Sequence, residues 1–523
     1  MLRKCAGYSP TLQSVGNIVR NQIRYSSYDT IIVGGGHNGL VSAAYLGKAG
    51  KKVLVLEKRN IIGGAAVTEE LFPSFKYSRG SYVFSLFRPT IVEELELKRH
   101  GLKLFKRNPS SFTPLLDGRY LLLGSDMENN RKEIAKFSKK DAEKYEEYDE
   151  WLQKLVKVLN PYLDAPPLEI TSNFKSIKSQ IPTVYKLTKE LLSLGKDIPA
   201  LYELMTAPAS KILDRWFESE PLKATLATDA VVGAMTSPQI PGSGYVLFHH
   251  IMGEAEGVPG SWAYVKGGMG ALSECIAKSA IEHGAEIRTS ITVDEIVIEN
   301  DKAVGVKLQN GDIIRSKTVI SNTSPQITFL KLLRNNHQLL PKEFLSHFNS
   351  LQCQSPVCKI NVSLDRLPNF NSFPGPGPHH QTTIHMGSET SEDLHQAYID
   401  AAVHKIPSNN PMIEMTIPSV LDNTLAPPGK HVASLFCQFI PYSPKGYEWN
   451  DETKKQLAHK IFAIVDQYAP GFSSSVLHAD ILTPPDLERV FGLHCGNISH
   501  ISMTLDQVNI FFCSPLCTST SLY

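Results

Sequence analysis

The residues nearest to chemistry in this chain are a glycine triplet and an acid. Thr30-Ile31-Ile32-Val33 runs into Gly34-Gly35-Gly36-His37-Asn38-Gly39, and Lys52-Val53-Leu54-Val55-Leu56 ends at Glu57. An apolar strand, a Gly-x-Gly-x-x-Gly turn, a helix, a second strand and a closing carboxylate are together the parts that hold a dinucleotide. Gly34 permits the tight turn, Gly36 lets backbone approach a pyrophosphate, and Gly39 lets helix and strand pack closely. A helix starting near Asn38 aims unpaired N–H groups and the positive end of its dipole at phosphates. Glu57 is spaced to accept hydrogen bonds from a ribose diol. The glycines alone would be an ordinary turn. The strand, helix, second strand and acid around them specify a nucleotide site.

An acid at the ribose disfavours NADP, which needs a cation for its 2′-phosphate, and leaves NAD or FAD. Gly63 and Gly64 follow the acid closely, which suits a cofactor running on past its pyrophosphate toward a flavin, because bare backbone can lie against it. Arg59 supplies a cation for phosphate or ribityl oxygens; the alternative is an exposed arginine in a surface turn. An NAD-dependent dehydrogenase stays open as a further reading and predicts tight NAD binding in a colourless protein.

The stretch from Gly34 to Glu57, the Gly63-Gly64 pair and Phe75-Lys76-Tyr77-Ser78-Arg79-Gly80-Ser81-Tyr82 resemble FAD-dependent amine oxidase and phytoene desaturase-type oxidoreductases. Tyr264 to Gly270, Val319-Ile320-Ser321-Asn322 and Asp486 to Leu493 agree. The resemblance covers about residues 28 to 507 and is most specific at the N-terminal motif. It implies an α/β fold in which a Rossmann-type FAD-binding domain is interleaved with an α+β substrate or cap domain. FAD would be held by Gly34, Gly36, Gly39, Glu57, Arg59, Gly63 and Gly64, with backbone near Val293 meeting the adenine. Arg79, Ser81 and Tyr82 fall where family members approach the flavin, although Arg79 also reads as a surface cation. No catalytic residue is assigned. No Ser/His/Asp arrangement or paired-carboxylate motif is legible, as suits chemistry carried by an isoalloxazine. A flavin disulfide reductase needs a Cys-x4-Cys pair near its first helix, yet no cysteine occurs between Cys5 and Cys275. Cys353 and Cys358 have that spacing too far along the chain and read as ordinary thiols.

The elements that position these residues divide the chain. Residues 1–27 read as a leader, 28–100 and 264–330 as two parts of the FAD domain, 101–263 and 331–485 as two parts of the substrate domain, and 486–523 as an incomplete return. Arg119 to Leu123 reads as a hairpin strand and Asn129 to Leu159 as charged helix with Trp151, Leu152 and Leu155 inward. Gly267-Gly268-Met269-Gly270 opens a helix through His283, and Ala285-Glu286-Ile287-Arg288 starts a strand. Val293 to Ile298, Val304 to Leu308 and Asp312 to Arg315 form a meander turning at Asn310-Gly311, and by resemblance Thr318 to Ser321 rejoins the main sheet.

The 523 residues, 42% of them apolar, suffice for one large or two to three intertwined domains. Lys and Arg number 53 against 52 Asp and Glu, which gives no basic surplus for nucleic acid. The eight cysteines are scattered, fitting a reducing compartment. Residues 1–27 carry Arg3, Lys4, Arg20 and Arg24 with no acid before Asp29, the composition of a mitochondrial transit peptide. No apolar run is long enough to span a bilayer. The amphipathic stretch Tyr185 to Met205 suits either the core or peripheral contact with a membrane. His249-His250 and His379-His380 lack a third ligand at defined spacing, so no metal is expected and both read as structural or surface.

The C-terminus departs from the family. Relatives continue past Gln507 through a strand, a Gly-rich loop and a last helix that close over pyrophosphate and flavin. Here Val508 to Tyr523 contains no glycine. The expectation is a strand lost from beside the first strand of the cofactor sheet, read as a splice or gene-model variant with weakened FAD binding as its result; the alternative is an apolar Ile510-Phe511-Phe512 tail partly filling the gap. The function read from all this is a mitochondrial matrix FAD-dependent oxidoreductase that abstracts hydride from an apolar or amine-type small molecule. The alternative is a cofactor-poor, non-catalytic relative acting through protein contacts in mitochondria.

Overall fold

The computed structural model describes residues 28–163 and 174–507. The expectations for the leader and for the Ile510-Phe511-Phe512 tail therefore lie outside the described residues. β1, Tyr28–Val33, is a β-branched run whose side chains alternate between two cores. Ile32 packs on the helix side with Leu40, Ala43 and Val55. Ile31 and Val33 pack on the other side with Ile296, Val306 and Leu332. A strand covered on both faces must be apolar throughout, and each fully buried isoleucine contributes roughly 1.5–3 kcal/mol. α1, His37–Lys48, returns the chain to β2, Val53–Leu56, which is buried at every position.

Six strands make the cofactor sheet, in the order Glu286–Arg288, β2, β1, Ile313–Ser321, Lys302–Leu308, Val293–Glu299. The first four pair in parallel and the last three form an antiparallel meander. Ile313–Ser321 serves both: residues 313–315 pair with the meander, and residues 316–321 with β1. The helix Met269–Glu282 packs beside α1 over this sheet, where a Cβ on Gly47 would lie 2.9 Å from the His283 carbonyl oxygen.

The gap expected beside β1 is absent. β1 is paired on both sides, by β2 and by residues 316–321. Among the described residues, that half of Ile313–Ser321 pairs with β1 on one side and with no strand on the other.

A second sheet of seven strands runs in the order Val476–Leu482, Val357–Leu364, His431–Gln438, Ile413–Thr416, Thr383–Met386, Ser111–Pro114, Tyr120–Leu123. All neighbours are antiparallel except Thr383–Met386 with Ser111–Pro114. One face carries Cys358, Ile360, Val362, Ile384, Ile413, Met415 and Leu435 against the helix Asp451–Tyr468. Helices between Met127 and Ile251 cover part of the opposite side with a second core around Leu152, Leu155, Leu213 and Phe248.

Candidate active site

The chain leaves β1 at Gly34, whose φ of +101° is one glycine adopts without strain. A Cβ on Gly39 would stand 2.3 Å from the Gly34 carbonyl oxygen, so α1 begins this close to the turn only with glycine there. No side chain caps α1 and no acid lies in its first turn, which leaves its positive end for an anion. Gly63 N–H donates to Gly35 O at 2.8 Å, and Gly36 and Gly63 form an isolated parallel bridge. The Gly64 Cα lies 4.0 Å from where a Gly36 Cβ would be. The two glycine groups thus line one trough with bare backbone.

Glu57, at the end of β2, is 6% exposed. Its Oε2 accepts from Gly35 N–H and its Oε1 from Arg59 N–H, both at 2.8 Å. Each oxygen keeps a lone pair for a diol. Ile291 N–H donates to Glu57 O and Ser290 N–H to Arg59 O, so the chain leading into Val293 crosses this same end of β2. Arg59 is not the exposed cation of a surface turn. Its Nη2 pairs with Glu69 at 2.7 Å, its guanidinium lies 5.4 Å from the Phe491 ring centroid, and its buried Nη1 has no hydrogen-bond partner. Lys58 sits beside it, drawn below the usual lysine value by burial and by the neighbouring charges of Lys331 and Arg59. An orphaned guanidinium nitrogen, a second cation, an open helix N-terminus and a bare trough fit a dinucleotide diphosphate.

Sequence reasoning missed Asn322 as a site residue. Its N–H donates to Val33 O at 2.8 Å, and its Nδ2 lies 2.9 Å from where a Gly39 Cβ would be. Its place at the carboxyl end of the strand parallel to β1, where ligands of such sheets bind, was the available signal.

The trough continues toward the seven-stranded sheet. Ser81 N–H donates to Ala65 O at 2.8 Å, and a Gly80 Cβ would lie 2.5 Å from that oxygen, so Gly80 and Ser81 press onto the residue after Gly63-Gly64. Arg79 is no surface cation: its guanidinium grips Asp480 through Nε at 3.0 Å and Nη2 at 3.1 Å. Lys359 Nζ donates to Ser78 O at 2.6 Å and to Asn361 Oδ1 at 3.1 Å, and burial draws it down to about 7 despite the Asp480 charge.

These partners share the face of the sheet opposite its apolar core. The cross-strand register aligns His385, Glu414, Phe436 and Lys359 in one row and Thr416, Ser434, Asn361 and Asp480 in the next. Tyr82 lies on the first row, with its hydroxyl 3.3 Å from Glu414 Oε2 and its ring 5.0 Å from Lys359 Nζ. His385 Nδ1 stands 3.5 Å from Glu414 Oε1. The cap helices add Asp229 and His250. Burial would raise Glu414, but His385, with His250 and Tyr82, holds it below the usual glutamate value. Burial lifts Asp229 to about 6 against the opposing pull of His250. The fold therefore brings the charges of Asp229, His250 and Glu414 within reach of one another, which no local motif encodes.

His379 and His380 are fully buried rather than on the surface; His379 stacks on Phe373 at 4.5 Å, and burial takes it down to about 3. Cys353 and Cys358 are buried thiols. Among the described residues no group of His, Cys, Asp or Glu is arranged to hold a metal ion.

Residues 39–465 match the family of flavin containing amine oxidoreductases. The chain is 51% identical to a rat protein, pyridine nucleotide-disulfide oxidoreductase domain-containing protein 2, over 94% of this chain and 86% of that one. Among solved structures, an oxidoreductase from Methanosarcina mazei superposes with a TM-score of 0.53 at 19% identity, covering 86% of this chain and 87% of that one. A putrescine oxidase variant superposes with a TM-score of 0.51 at 15% identity, covering 89% and 86%. Both share the two-part fold. A glycine trough closed by Glu57, together with these matches, makes the chain a member of the flavin-containing amine oxidoreductase family, a FAD-dependent oxidoreductase.

Proposed function

We propose that this oxidoreductase removes hydride from a C–H bond of a small molecule held between the Gly80–Tyr82 segment and the polar face of the seven-stranded sheet. The observation that carries this reading is the continuity of the trough: bare backbone runs from Gly36 through Gly63, Gly64 and Ala65 to Ser81, and ends against Tyr82 and Glu414. The flavin supplies the two-electron sink. Gly34, Gly36, Gly39 and Arg59 hold its diphosphate, Glu57 the adenosine ribose, backbone near Val293 the adenine, and Gly63 and Gly64 the stretch toward the isoalloxazine.

The site of action is the mitochondrial matrix, supported by the basic, acid-free composition of residues 1–27. Contact with a membrane surface is supported by Ile181, Val184, Tyr185, Leu192 and Tyr202, exposed apolar residues interspersed with the exposed Lys178, Lys186, Lys189 and Lys196. The test of the core reading is the visible spectrum of the purified chain lacking residues 1–27, with the released cofactor identified. About one FAD per chain is the expected result. A soluble, colourless protein that ignores added FAD would favour the non-catalytic reading.

A further inference from the structure

We propose that Arg107 is an anchor for a carboxylate, and that the small molecule held on the polar face of the seven-stranded sheet therefore carries one. The inference rests on the reading of that space as the place where substrate is held, and it adds a charge to the occupant. It does not depend on which bond is oxidised.

Arg107 is a buried cation, 8% exposed, without a counter-ion. It stands at the end of a two-stranded ribbon in which Lys106 faces Ala263, so its neighbour across the ribbon is Trp262. Its Nε donates to Trp262 O at 3.0 Å and its Nη1 to Thr383 Oγ1 at 2.8 Å, and the guanidinium lies 5.1 Å from the Tyr264 ring centroid. Both acceptors are neutral, and among the described residues no carboxylate pairs with it. Arg59 and Arg79, also largely buried, each hold a carboxylate. A charge taken out of water is costly unless it is paired, so a buried guanidinium facing neutral oxygens calls for an anion from outside the chain. A guanidinium has more N–H donors than these two bonds use. Nη2 donates to nothing among the described residues and, unlike the sealed Nη1 of Arg59, keeps surface within reach of water.

The surroundings place that free edge. Along their strand Thr383 and His385 alternate with Ile384 and Met386, which belong to the apolar core. Arg107 therefore meets the sheet on its polar face, two residues before His385, where both Thr383 and His385 are half-buried. Trp262 in turn stacks on His250 of the cap helices, with ring centroids 6.4 Å apart. Ribbon, sheet and cap meet at this cation. The planar fork of a guanidinium matches the two oxygens of a carboxylate, and one unpaired positive charge calls for a single negative one. A phosphate dianion would need a second cation, and Lys359, the other buried cation on this face, is committed to Ser78 O and Asn361 Oδ1. A pocket for a simple amine or a hydrocarbon would have no use for Arg107.

The test uses the purified chain, its FAD content measured separately, and two probes of one shape, benzoate and benzamide, each titrated by isothermal calorimetry. Benzoate should bind at least tenfold more tightly than benzamide and raise the melting temperature as it saturates the chain. In Arg107→Gln the preference should shrink below threefold. In Arg107→Lys, which keeps the charge and loses the fork, it should be intermediate. Equal affinity for the two probes in the wild-type chain, or a preference that survives in Arg107→Gln, overturns the proposal. So does chloride that stabilises the wild-type chain as much as benzoate does at the same concentration. If Arg107→Gln does not fold, Arg107→Lys decides alone, and a preference unchanged there overturns the proposal. A chain that selects benzoate through Arg107 yet never holds FAD refutes the oxidoreductase reading and leaves the anchor standing.

Discussion

Asp229 and Glu57 are acids in opposite situations, and the difference was legible for only one of them. Glu57 follows a strand at the spacing a ribose demands, and the backbone donors of Gly35 and Arg59 receive it. Glu57→Ala should remove those acceptors and weaken FAD retention by about tenfold or more, since each ~1.4 kcal/mol is a factor of ten; equilibrium dialysis against free FAD measures it. Asp229, by contrast, feels the charges of His250 and Glu414 only after the chain has folded, and Tyr82 and Glu414 stand 332 positions apart in sequence. No local spacing encodes such a meeting. The available signal was that His385, Glu414 and Asn361 interrupt apolar strands at alternating positions, the pattern of a polar second face. The raised value of Asp229 has a stability consequence. An unfolded aspartate ionises near 3.8, whereas the folded one resists ionisation up to about 6. Folding is therefore unpenalised below pH 4 and loses stability as pH rises from 4 to 6. Asp229→Asn removes that loss: urea unfolding should show the variant more stable by about 1–3 kcal/mol at pH 7 and nearly equal to wild type at pH 4.

Among the elements, the first β–α–β unit and the meander were readable because glycines and β-branched runs punctuate them. Asn310-Gly311 turns the hairpin between Lys302–Leu308 and Ile313–Ser321 as its sequence demands. What could not be read was strand order. The expectation of an unpaired flank on β1 failed because residues 316–321 occupy that position, and parallel neighbours are set by crossovers rather than by any local pattern. The tightest element-level contact is α1 against the turn before it. Gly39→Ala would drive a methyl to 2.3 Å from a backbone oxygen. Overpacking of this kind costs about 1–3 kcal/mol, and here it should appear as lost FAD affinity together with a lower melting temperature. Gly50→Ala, with nothing within 4 Å of its added methyl, supplies a comparison at a glycine of positive φ with no packing conflict. The helix Phe174–Ser193 makes a different demand. Tyr185 is 70% exposed, Leu192 66%, and Tyr202 in the helix after it 71%. Replacing the three by Ser should leave thermal stability nearly unchanged and abolish co-sedimentation with vesicles containing anionic lipid. Binding that survives the replacement, or that is equal for neutral vesicles, removes the membrane role from this surface.

At the scale of the whole molecule, two sheets with separate cores must hold one chamber between them, and a polar seam does this rather than an apolar one. Arg79 leaves the cofactor side and grips Asp480 on the edge strand of the other sheet with two nitrogens, while Asn361 Nδ2 reaches Asp480 at 3.2 Å and Arg79 O at the same distance. Lys359 ties the same segment through Ser78 O. Such a seam fixes register between the sheets more sharply than apolar contact, because each donor must find its own acceptor. Removing one partner of a buried ion pair ordinarily costs ~3–5 kcal/mol. In Asp480→Asn the loss should be about 2–3 kcal/mol, since Glu69 still faces Arg79 at 3.3 Å and both members of the pair keep some water. The consequence for function is larger than that for folding. With Arg79 released, the Gly80–Tyr82 segment keeps only the Lys359 and Asn361 ties to the backbone of Ser78 and Arg79, and Tyr82 is held less firmly over Glu414. FAD should still bind in Asp480→Asn, because the trough from Gly36 to Gly64 is untouched, but the near-ultraviolet circular dichroism of the protein should weaken. The double variant Arg79→Gln with Asp480→Asn separates seam from charge. With the under-compensated guanidinium gone, it should recover part of the stability lost in the single variant while its near-ultraviolet dichroism stays weak. Full recovery of both would assign the seam a purely electrostatic role and release Tyr82 from dependence on it.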